Sequence, residues 1–381
     1  MYDLIIVGGG PSGSAAGRLA GKRGLRTLLI EKEVFPRYKA CGGALSEQAM
    51  SYLDFPIPDE MRERDIYGAR VHFRGGVIER HKEYRIATLV TRSILDSYLL
   101  EKARETGIEI RMGERVVGYE EHGDHVEVYT KDNVYQARFL VIAEGSRGSL
   151  KTRIRRRDRM DEYGICMVAE IEEANETIDK YIHDAIDIHF GATYMGYGWI
   201  FPHEKYYSVG IGGLTKYLPD PKKTMTDFLH ANGFHGQYKL RAGFVPVGGI
   251  KRNIVGSRVV LSGDAAGFVD SFYGEGIAYA IRSGQIAVEV ISRAILHDEG
   301  LDILKEYESI CETEFGENLK YSLMLSKLMH RFPGIFFTIL TSNEEVIDRF
   351  LEVPALKRTY RDYIRWLIPR VPRYLLRQRT K

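Results

Sequence analysis

Three glycines near the start of the chain have the spacing of a phosphate-binding turn. Gly8, Gly10 and Gly13 follow the short apolar run 2–7 and precede a stretch of small residues with a helical pattern. In such a turn the first glycine permits a tight bend, the second lets the backbone approach a pyrophosphate, and the third allows close helix packing. The N-terminus of the helix then directs free N–H groups at the phosphate charge. The pattern predicts a dinucleotide-binding site.

An acidic residue stands where this motif needs one for a ribose contact. Glu31 follows a second apolar run, 26–30, and lies 18 residues beyond Gly13. A carboxylate at this position accepts hydrogen bonds from ribose hydroxyls. We assign Pro11, Ser12 and Lys32 to the same site. The pattern indicates a dinucleotide but not which one.

A second segment, far downstream, has the residues to bind a flavin. Asp264 directly follows the apolar run 257–262, and an acid after a strand suits a sugar-alcohol hydroxyl. A long helical pattern begins at Gly276 and Ile277. A helix that begins there directs free N–H groups at an anionic or carbonyl group. A reduced flavin carries negative charge near N1 and its C2 carbonyl, so this segment favours a flavin.

These segments resemble the FAD-dependent oxidoreductases with the hydroxybenzoate-hydroxylase type of fold. The resemblance implies that Asp264 binds the ribityl hydroxyls and that Gly276 and Ile277 lie beside the isoalloxazine ring. Residues 90–96 are similar to the family's arginine segment, so Arg92 is assigned to FAD, with a solvated arginine at a helix start as the alternative.

A further stretch, residues 140–149, resembles the segment that returns to the nucleotide in this family. The family usually has Asp-Gly at this point, where the present chain has Glu144 and Gly145. The resemblance adds both residues to the FAD site.

Three segments are similar to the geranylgeranyl reductase family, which saturates isoprenoid double bonds in archaeal lipids and in chlorophyll precursors. They are residues 36–43, which contain a Cys-Gly-Gly sequence, residues 197–202 and residues 263–277. The resemblance implies a flavin-dependent reductase of geranylgeranyl chains in the biosynthesis of archaeal-type phospholipids. Many relatives carry a proline where this chain has Ser271, so we expect the loop near the flavin to differ in rigidity or polarity.

Cys41 is the candidate proton donor. Reduction of an isolated alkene needs a hydride, which reduced FAD can supply, and a proton. A neutral thiol, with a reference pKa of about 8.5, can relay a proton at pH 7. We therefore assign Cys41 and Gly42 to the catalytic site, and both of them with Gly43 to the cofactor site. The alternative is that Cys41 is a small packing residue.

An aromatic stretch is predicted to be a strand of a mixed sheet over the flavin. Its alternating Tyr197, Trp199 and Phe201 would line an apolar tunnel for the isoprenoid chain. The alternative is that these rings pack in an ordinary core.

The elements that position these residues predict an α/β protein. We expect a Rossmann-like FAD-binding domain, a substrate domain with a mixed α+β sheet, and a C-terminal helical region. The FAD-binding domain is expected to be discontinuous, because its segments are separated by those of the substrate domain. The predicted divisions are 1–60, 88–150 and 245–300 for FAD, 61–87 and 151–244 for the substrate, and 301–381 for the helices.

The charge of the chain is unevenly distributed. The last 31 residues carry nine basic and two acidic side chains, out of 54 and 52 in the whole chain. Tryptophan, tyrosine and leucine alternate with these basic residues, as in segments that bind anionic lipid. The C-terminal segment is therefore predicted to bind an anionic membrane surface in two short pieces, separated by Pro369 and Pro372. A helical pair docked on the domain is the alternative.

Composition excludes several classes. With 44% hydrophobic and 28% charged residues the chain is typical of a globular protein. Three scattered cysteines exclude a disulfide framework and an iron–sulfur module for electron transfer to a quinone, and they favour a cytoplasmic protein, peripheral at the inner face of the membrane if the tail binds lipid. The spacing of the histidines predicts no metal site, and no nucleic-acid-binding module is present.

Two points about the reaction stay open. An FAD-dependent monooxygenase or halogenase acting on an apolar small molecule is the alternative enzyme, since residues 196–202 distantly resemble a tryptophan-rich halogenase segment. Only one glycine-rich fingerprint is present, so the electrons are expected from an external donor: ferredoxin, NAD(P)H or a deazaflavin.

Overall fold

The computed structural model describes residues 1–249, 252–296 and 301–378. The strands are, in chain order, β1 (Tyr2–Val7), β2 (Thr27–Glu31), β3 (Ala44–Ser46), β4 (Arg64–Ile66), β5 (Gly68–Phe73), β6 (Gly76–His81), β7 (Ala87–Leu89), β8 (Glu109–Met112), β9 (Val116–Glu121), β10 (Val126–Thr130), β11 (Val134–Ile142), β12 (Tyr163–Glu172), β13 (Ala185–Phe190), β14 (Gly196–Pro202), β15 (Tyr206–Leu214), β16 (Arg241–Pro246) and β17 (Val259–Leu261). The helices are α1 (Pro11–Lys22), α2 (Glu47–Ser51), α3 (Arg92–Arg104), α4 (Asn175–Tyr181), α5 (Pro221–Ala231), α6 (Ile277–Leu296), α7 (Leu304–Cys311), α8 (Glu317–Arg331), α9 (Pro333–Ser342), α10 (Glu344–Phe350), α11 (Tyr360–Leu367) and α12 (Val371–Gln378). The ends of two predicted domain segments, 297–300 and 379–381, lie outside the described residues.

The first sheet has the order β8-β2-β1-β11-β10-β9, and β17 also pairs with β11. Strands β1, β2, β8, β11 and β17 run parallel. Val7 pairs with Ile30 and Ile142, and Ile142 pairs with Leu261, so four of these strands end at one edge. Strand β2 and most of β1 are buried, because helices such as α1 and α6 cover the sheet. The predicted Rossmann-like α/β fold is confirmed.

The second sheet has the order β16-β12-β15-β14-β13-β5-β6 and is antiparallel except where β13 meets β5. The aromatic stretch predicted as one strand is in fact two, β14 and β15, which form a hairpin around residues 203–205. Helices α4 and α5 lie over one face of this sheet. Strand β16 carries the sheet two residues past the boundary predicted at 244.

A small third sheet has the order β3-β7-β4. Strand β3 directly follows the Cys-Gly-Gly segment, and β7 leads through Val90 into α3. The backbone N–H of Val90 donates to the Gly43 carbonyl at 2.9 Å. This sheet therefore ties the Cys-Gly-Gly loop to the start of α3.

The C-terminal helices cover the other face of the second sheet. Phe337 of α9 packs on Phe73 and Phe190, with ring centroids 4.3 and 4.6 Å apart. Of the two prolines predicted to break the tail, Pro369 separates α11 from α12. Pro372 lies in the first turn of α12, where a helix tolerates proline.

The apolar residues of the tail are mostly core residues. Tyr360, Tyr363, Ile364 and Leu367 of α11 are buried in the cluster that includes Phe272, and Tyr374 of α12 is buried as well. Two further apolar residues of the tail, Leu375 and Leu376, lie outside the described side chains. The structure thus corrects the expectation that the tail offers these rings to lipid: their pattern is that of a docked helical pair. Within the described residues, no helix is both long and apolar enough to cross a bilayer.

Candidate cofactor and active site

A cavity of about 820 Å³ opens at the edge where the parallel strands of the first sheet end. Its walls come from the loops after β1, β2, β11 and β17 and from the starts of α3 and α6. Thirteen of the sixteen predicted cofactor residues line it: Gly8, Gly10, Pro11, Ser12, Glu31, Lys32, Cys41, Arg92, Glu144, Gly145, Asp264, Gly276 and Ile277. The other three, Gly13, Gly42 and Gly43, lie just behind this lining.

The glycine turn after β1 cannot accept side chains at two positions. Gly8 has a φ of 107°, and a Cβ there would lie 2.4 Å from the carbonyl oxygen of Ala143. A Cβ at Gly13 would lie 1.7 Å from the carbonyl oxygen of Gly8. At Gly10 such an atom would meet only Arg37, at 3.6 Å, so this glycine leaves room for a ligand.

The start of α1 suits an anionic ligand. Gly10 is the N-cap residue and has no side chain to satisfy the N–H groups of the first turn, which Pro11 begins. Glu31, at the end of β2, is held by the N–H groups of Gly9 at 2.6 Å and Glu33 at 2.8 Å. Each of its carboxylate oxygens keeps a lone pair that can accept from a ribose hydroxyl.

Arg92 is a buried ion-pair partner and not a solvated side chain. Its guanidinium donates two hydrogen bonds, both of 2.9 Å, to the fully buried carboxylate of Asp96 one turn along α3. Burial by itself lowers the pKa of Arg92, but the neighbouring Asp96 carboxylate and Cys41 side chain raise the pKa above its ordinary value. The arginine therefore stays charged at the cavity wall.

Arg37 is a candidate binding residue that the sequence did not single out. Its Nη2 lies 2.9 Å from Asp96, while its buried Nη1 has no hydrogen-bond partner among the described residues. The guanidinium sits beside Gly10, where a pyrophosphate would pass. An unpartnered cationic N–H at this place fits the phosphates of a dinucleotide.

Asp264 and Glu144, two acidic residues of the cavity, differ in their hydrogen-bond partners. Asp264 has no hydrogen-bond partner among the described residues, burial raises its pKa, and one of its oxygens lies close to Gly276. It is placed to accept from ligand hydroxyls. Glu144 instead accepts from the backbone N–H of Lys151 at 2.9 Å, so its carboxylate caps the helical turn that follows. Burial raises the pKa of Glu144 as well.

Cys41 lies on the cavity wall between hydrogen-bond donors. Its Sγ accepts from the N–H of Gly43 at 3.4 Å and lies near Arg92, whose pKa it raises. Gly43 has a φ of 78°, and a Cβ there would lie 2.4 Å from the carbonyl oxygen of Val90. The ring Nε2 of His203 lies 3.0 Å from the carbonyl of Gly42. Both glycines are thus required for the close packing that fixes the thiol.

The three predicted aromatic residues form a wall behind Cys41. A Cβ at Gly42 would lie 2.7 Å from the Phe201 ring and 3.3 Å from Nε1 of Trp199, and both rings are buried. The indole N–H of Trp199 has no hydrogen-bond partner among the described residues. Tyr197 donates to the carbonyl of Tyr273, in the loop before α6. The rings pack against the Cys-Gly-Gly loop and do not line the 820 Å³ cavity itself.

The loop 268–276, in which the resemblance leads us to expect a proline at position 271, is held by polar contacts. Ser271 donates its hydroxyl to the carbonyl of Val247 at 2.9 Å and its N–H to Ser322 at 3.2 Å. A proline could make neither bond, since it lacks both donors. In the same loop Asp270 accepts from the N–H groups of Phe272 and Tyr273, and burial raises the pKa of Asp270 to about 6.

Glu275 should make the stability of the protein depend on pH. Burial raises its pKa to about 7, and its carboxyl group is hydrogen-bonded to Ser46. Because the folded state favours the protonated carboxyl group, its contribution to stability is fully present below the unfolded pKa near 4.5. That contribution is lost as pH rises through 7, where the buried group ionises. From pH 4.5 to 8, Glu275→Gln should therefore gain up to about 3 kcal/mol in unfolding free energy relative to the wild type. Urea unfolding of both proteins at several pH values measures this; an equal difference at pH 5 and 8 would contradict it.

Two groups of histidines and carboxylates lie close enough together to hold a metal ion, although the histidine spacing predicts no metal site. The first comprises His72, Asp187 and His189, and the second, on the β9–β10 hairpin, comprises His122, His125 and Glu127. In the first, the imidazole rings are 4.0 Å apart and parallel within 7°, and Asp187 already accepts two bonds from Arg70. Lone pairs in parallel planes do not converge, so this group is poorly arranged for a shared ion.

Comparison with known proteins agrees with the geometry of the cavity. Residues 1–194 match the family described as FAD binding domain. The digeranylgeranylglycerophospholipid reductase of Methanocaldococcus jannaschii is 29% identical over 351 residues, which make up 86% of this chain and 88% of that protein.

Solved structures share the fold along almost the whole chain. One from Thermoplasma acidophilum, described as geranylgeranyl bacteriochlorophyll reductase-like, has a TM-score of 0.79 and 22% identity over 98% of both chains. A flavin-dependent brominase has a TM-score of 0.74 and 21% identity over 93% of both chains. At these identities the likeness shows a common fold only.

Proposed function

Because this chain belongs to the FAD-dependent oxidoreductases of the FAD binding domain family, we propose that it reduces carbon–carbon double bonds in the geranylgeranyl chains of a membrane lipid. The family match confirms the predicted cofactor, FAD, and the predicted class of enzyme. Its relative in M. jannaschii is named as a reductase of digeranylgeranylglycerophospholipid. The proposed substrate is accordingly a prenylated glycerolipid of the archaeal type.

One observation carries the proposal: a thiol on the cofactor cavity is backed by buried aromatic rings. Cys41 lines the cavity, while Trp199 and Phe201 press against the adjacent Gly42. An isolated alkene offers no polar group to recognise, so apolar surface is what can hold it. A proton donor next to such surface is what the reduction requires.

The residues of the cavity fit FAD. The open turn at Gly10, the unpartnered nitrogen of Arg37 and the free carboxylate of Asp264 suit phosphates and hydroxyl groups respectively. FAD, when bound and reduced, supplies a hydride. We propose that the start of α6, at Gly276 and Ile277, lies beside its ring system, where free N–H groups stabilise negative charge.

We propose Cys41 as the source of the proton. The N–H of Gly43 donates to its sulfur and the guanidinium of Arg92 lies near it, and both would stabilise the thiolate left after the proton has gone. Gly42 contributes by allowing Phe201 to lie directly against this loop. The proton then returns to the sulfur from solvent between turnovers.

The proposal is tested by anaerobic incubation of the dithionite-reduced enzyme with a digeranylgeranyl glycerolipid dispersed in detergent. Mass spectrometry of the lipid should show increases in steps of two hydrogens. A substrate with saturated chains is the matched control and should show no change. If no mass increase occurs while the flavin remains reduced, the proposal is wrong.

A monooxygenase or halogenase predicts a different outcome of a related experiment. Such enzymes activate oxygen, so aerobic turnover with NAD(P)H should consume oxygen faster when an apolar substrate is added. The proposed reductase should show no substrate-dependent oxygen uptake. Ferredoxin, NAD(P)H and a deazaflavin can be compared in the anaerobic assay as external donors of electrons.

Trp199→Ala should lower product formation by about tenfold or more, because the Cys-Gly-Gly loop loses the buried ring that it packs against and Cys41 is no longer held in place. The flavin content of the purified variant should stay near that of the wild type, since Trp199 lies outside the lining of the cofactor cavity. Trp199→Phe keeps one aromatic ring and loses an N–H that has no partner among the described residues, so it should retain more activity than Trp199→Ala. Equal rates for wild type and Trp199→Ala would contradict the role of this residue.

A lipid substrate places the reaction at a membrane. We propose that the protein works at an anionic membrane surface, for which the basic C-terminal segment is one of two candidate contacts. The basic residues Arg365 and Arg370 of this segment are exposed or partly exposed, and Ile368 is 57% exposed. The buried rings of α11, however, are committed to the core.

A further inference from the structure

One end of the second sheet exposes apolar and cationic side chains together. The turns β5–β6, β13–β14 and the residues after β15 emerge at the same end, because Phe73 pairs with Gly76, Phe190 with Tyr197, and Gly196 with Gly213. The junction between α8 and α9 lies beside them. We call this end the docking end; its apolar members are Tyr194, Tyr217, Leu328, Phe332 and Ile335, and its cations are Arg74, Lys216, Lys327 and Arg331.

The apolar members are unusually exposed for such side chains. Tyr194 is 58% exposed, Phe332 is 50% exposed and Ile335 is 45% exposed. Two of them lie close to the end of α8: the rings of Tyr194 and Tyr217 are 4.9 Å apart, and Tyr194 also lies 6.4 Å from the ring of His330. Phe332 follows one helical turn after Leu328 and donates its N–H to that carbonyl.

The cations of the docking end are not neutralised by acids. Among the described residues, none of the four has a carboxylate within ion-pair distance. Lys216 and Arg331 instead lie over the rings of Tyr217 and Phe332, at 5.4 and 5.7 Å from the ring centres. Unpaired positive charge around an apolar tip is complementary to an anionic bilayer, where rings and chains enter the interface and cations meet headgroups.

A line of aromatic rings joins the docking end to the active site. Phe337, in α9, stacks on Phe190, whose ring lies 6.2 Å from Tyr197. Tyr197 lies 6.2 Å from Trp199, which touches the Cys-Gly-Gly loop. These rings are packed on one another and mostly buried, so an isoprenoid chain drawn from a bilayer at this end would reach Cys41 by parting this apolar layer.

We propose that the docking end seats on an anionic lipid bilayer and that the prenyl chain enters the enzyme there. The proposal rests on the proposed function for its substrate, but it assigns membrane contact to the turn between α8 and α9 and not to the C-terminal segment. Phe332 and Ile335 would insert among the lipids, and Lys327 and Arg331 would bind their headgroups.

Flotation with vesicles made of equal parts of phosphatidylglycerol and phosphatidylcholine tests the docking end. The double variant Phe332→Ser/Ile335→Ser should reduce the fraction of FAD-loaded protein bound to vesicles by about tenfold or more. Val134→Ser is the matched control, since Val134 is 58% exposed but lies on the first sheet. It should bind as the wild type does, and raising the salt concentration should weaken binding of both.

A second pair of substitutions separates the docking end from the tail. Ile368→Ser/Arg370→Gln alters exposed residues between α11 and α12 and should leave vesicle binding unchanged. If this variant loses binding while Phe332→Ser/Ile335→Ser keeps it, the C-terminal segment is the membrane contact and the proposal is overturned. Equal binding by the wild type and the docking-end variant also overturns it.

The reaction assay distinguishes failure of this proposal from failure of the proposed function. With the lipid dispersed in detergent, Phe332→Ser/Ile335→Ser should reduce it at the wild-type rate, whereas with the lipid in vesicles the rate should fall with binding. If the wild type binds vesicles through Phe332 but reduces no prenyl chain, membrane contact at the docking end is supported and the proposed function is refuted. Reduction in vesicles at the wild-type rate by the double variant would refute the docking end alone.

Discussion

Gly13→Ala is expected to abolish FAD binding and to lower the free energy of unfolding by about 2–3 kcal/mol. The added Cβ would lie 1.7 Å from the carbonyl oxygen of Gly8, which belongs to the main chain of the same turn. No side-chain rotamer can relieve this overlap, so α1 must move away from β1. The first-turn N–H groups that meet the phosphates would move with it.

The flavin absorbance of the purified variant and its urea unfolding curve measure these two effects. Gly123→Ala is the matched control, because a Cβ at Gly123 has no atom within 4 Å. This control should keep full flavin content and wild-type stability to within about 0.5 kcal/mol. A Gly13→Ala protein that retains stoichiometric FAD would show that the turn can open without loss of the site.

Cys41→Ala is expected to reduce turnover by about 10²- to 10⁴-fold, the usual contribution of a positioned acid. Flavin content should be unchanged, because the thiol contributes little to cofactor binding compared with the turn at Gly10 and with Asp264. Single-turnover measurements under anaerobic conditions, with the lipid in detergent, report the loss directly. Cys41→Ser replaces the thiol by a hydroxyl, which is a weaker acid, so the turnover of this variant should remain far below that of the wild type.

Cys166→Ala provides the comparison for this result. Cys166 also lines the cavity, but burial raises the pKa of its thiol to about 11, so it holds its proton at neutral pH. Its replacement should change turnover by no more than about threefold. Full activity of Cys41→Ala with FAD bound would remove Cys41 from the mechanism, and loss of activity in Cys166→Ala alone would point to the other thiol.

The cofactor site could be predicted from sequence to a large extent because its parts are local motifs. A glycine turn or an acid at the end of a strand depends on a few neighbouring residues, so Gly8, Glu31 and Asp264 could each be identified from their own segment. Parallel pairing then brings the segments together, since Val7, Ile142 and Leu261 lie side by side at the end of their strands.

Other members of the site depend on distances between segments. Arg37 lies against Asp96 and beside Gly10, and neither contact is visible in its own segment. The pairing of Arg92 with Asp96 could have been suggested by their spacing of four residues on one helix. That Arg92 is buried, and not solvated, follows only from the way α3 packs against the cavity.

The sequence by itself determined the phosphate turn, the acids after the strands and the presence of aromatic rings near a Cys-Gly-Gly loop. Tertiary structure alone decided which apolar side chains stay exposed to solvent. The helix that carries Tyr360 and Tyr363 has the composition and periodicity of a lipid-binding helix, yet both rings are buried in the cluster that includes Phe272. Phe332 and Ile335, at the junction between α8 and α9, are left exposed. An apolar pattern indicates that moving a side chain out of water is favourable in free energy, but it does not indicate whether protein or lipid covers that side chain. That choice is made by the neighbours that the fold supplies.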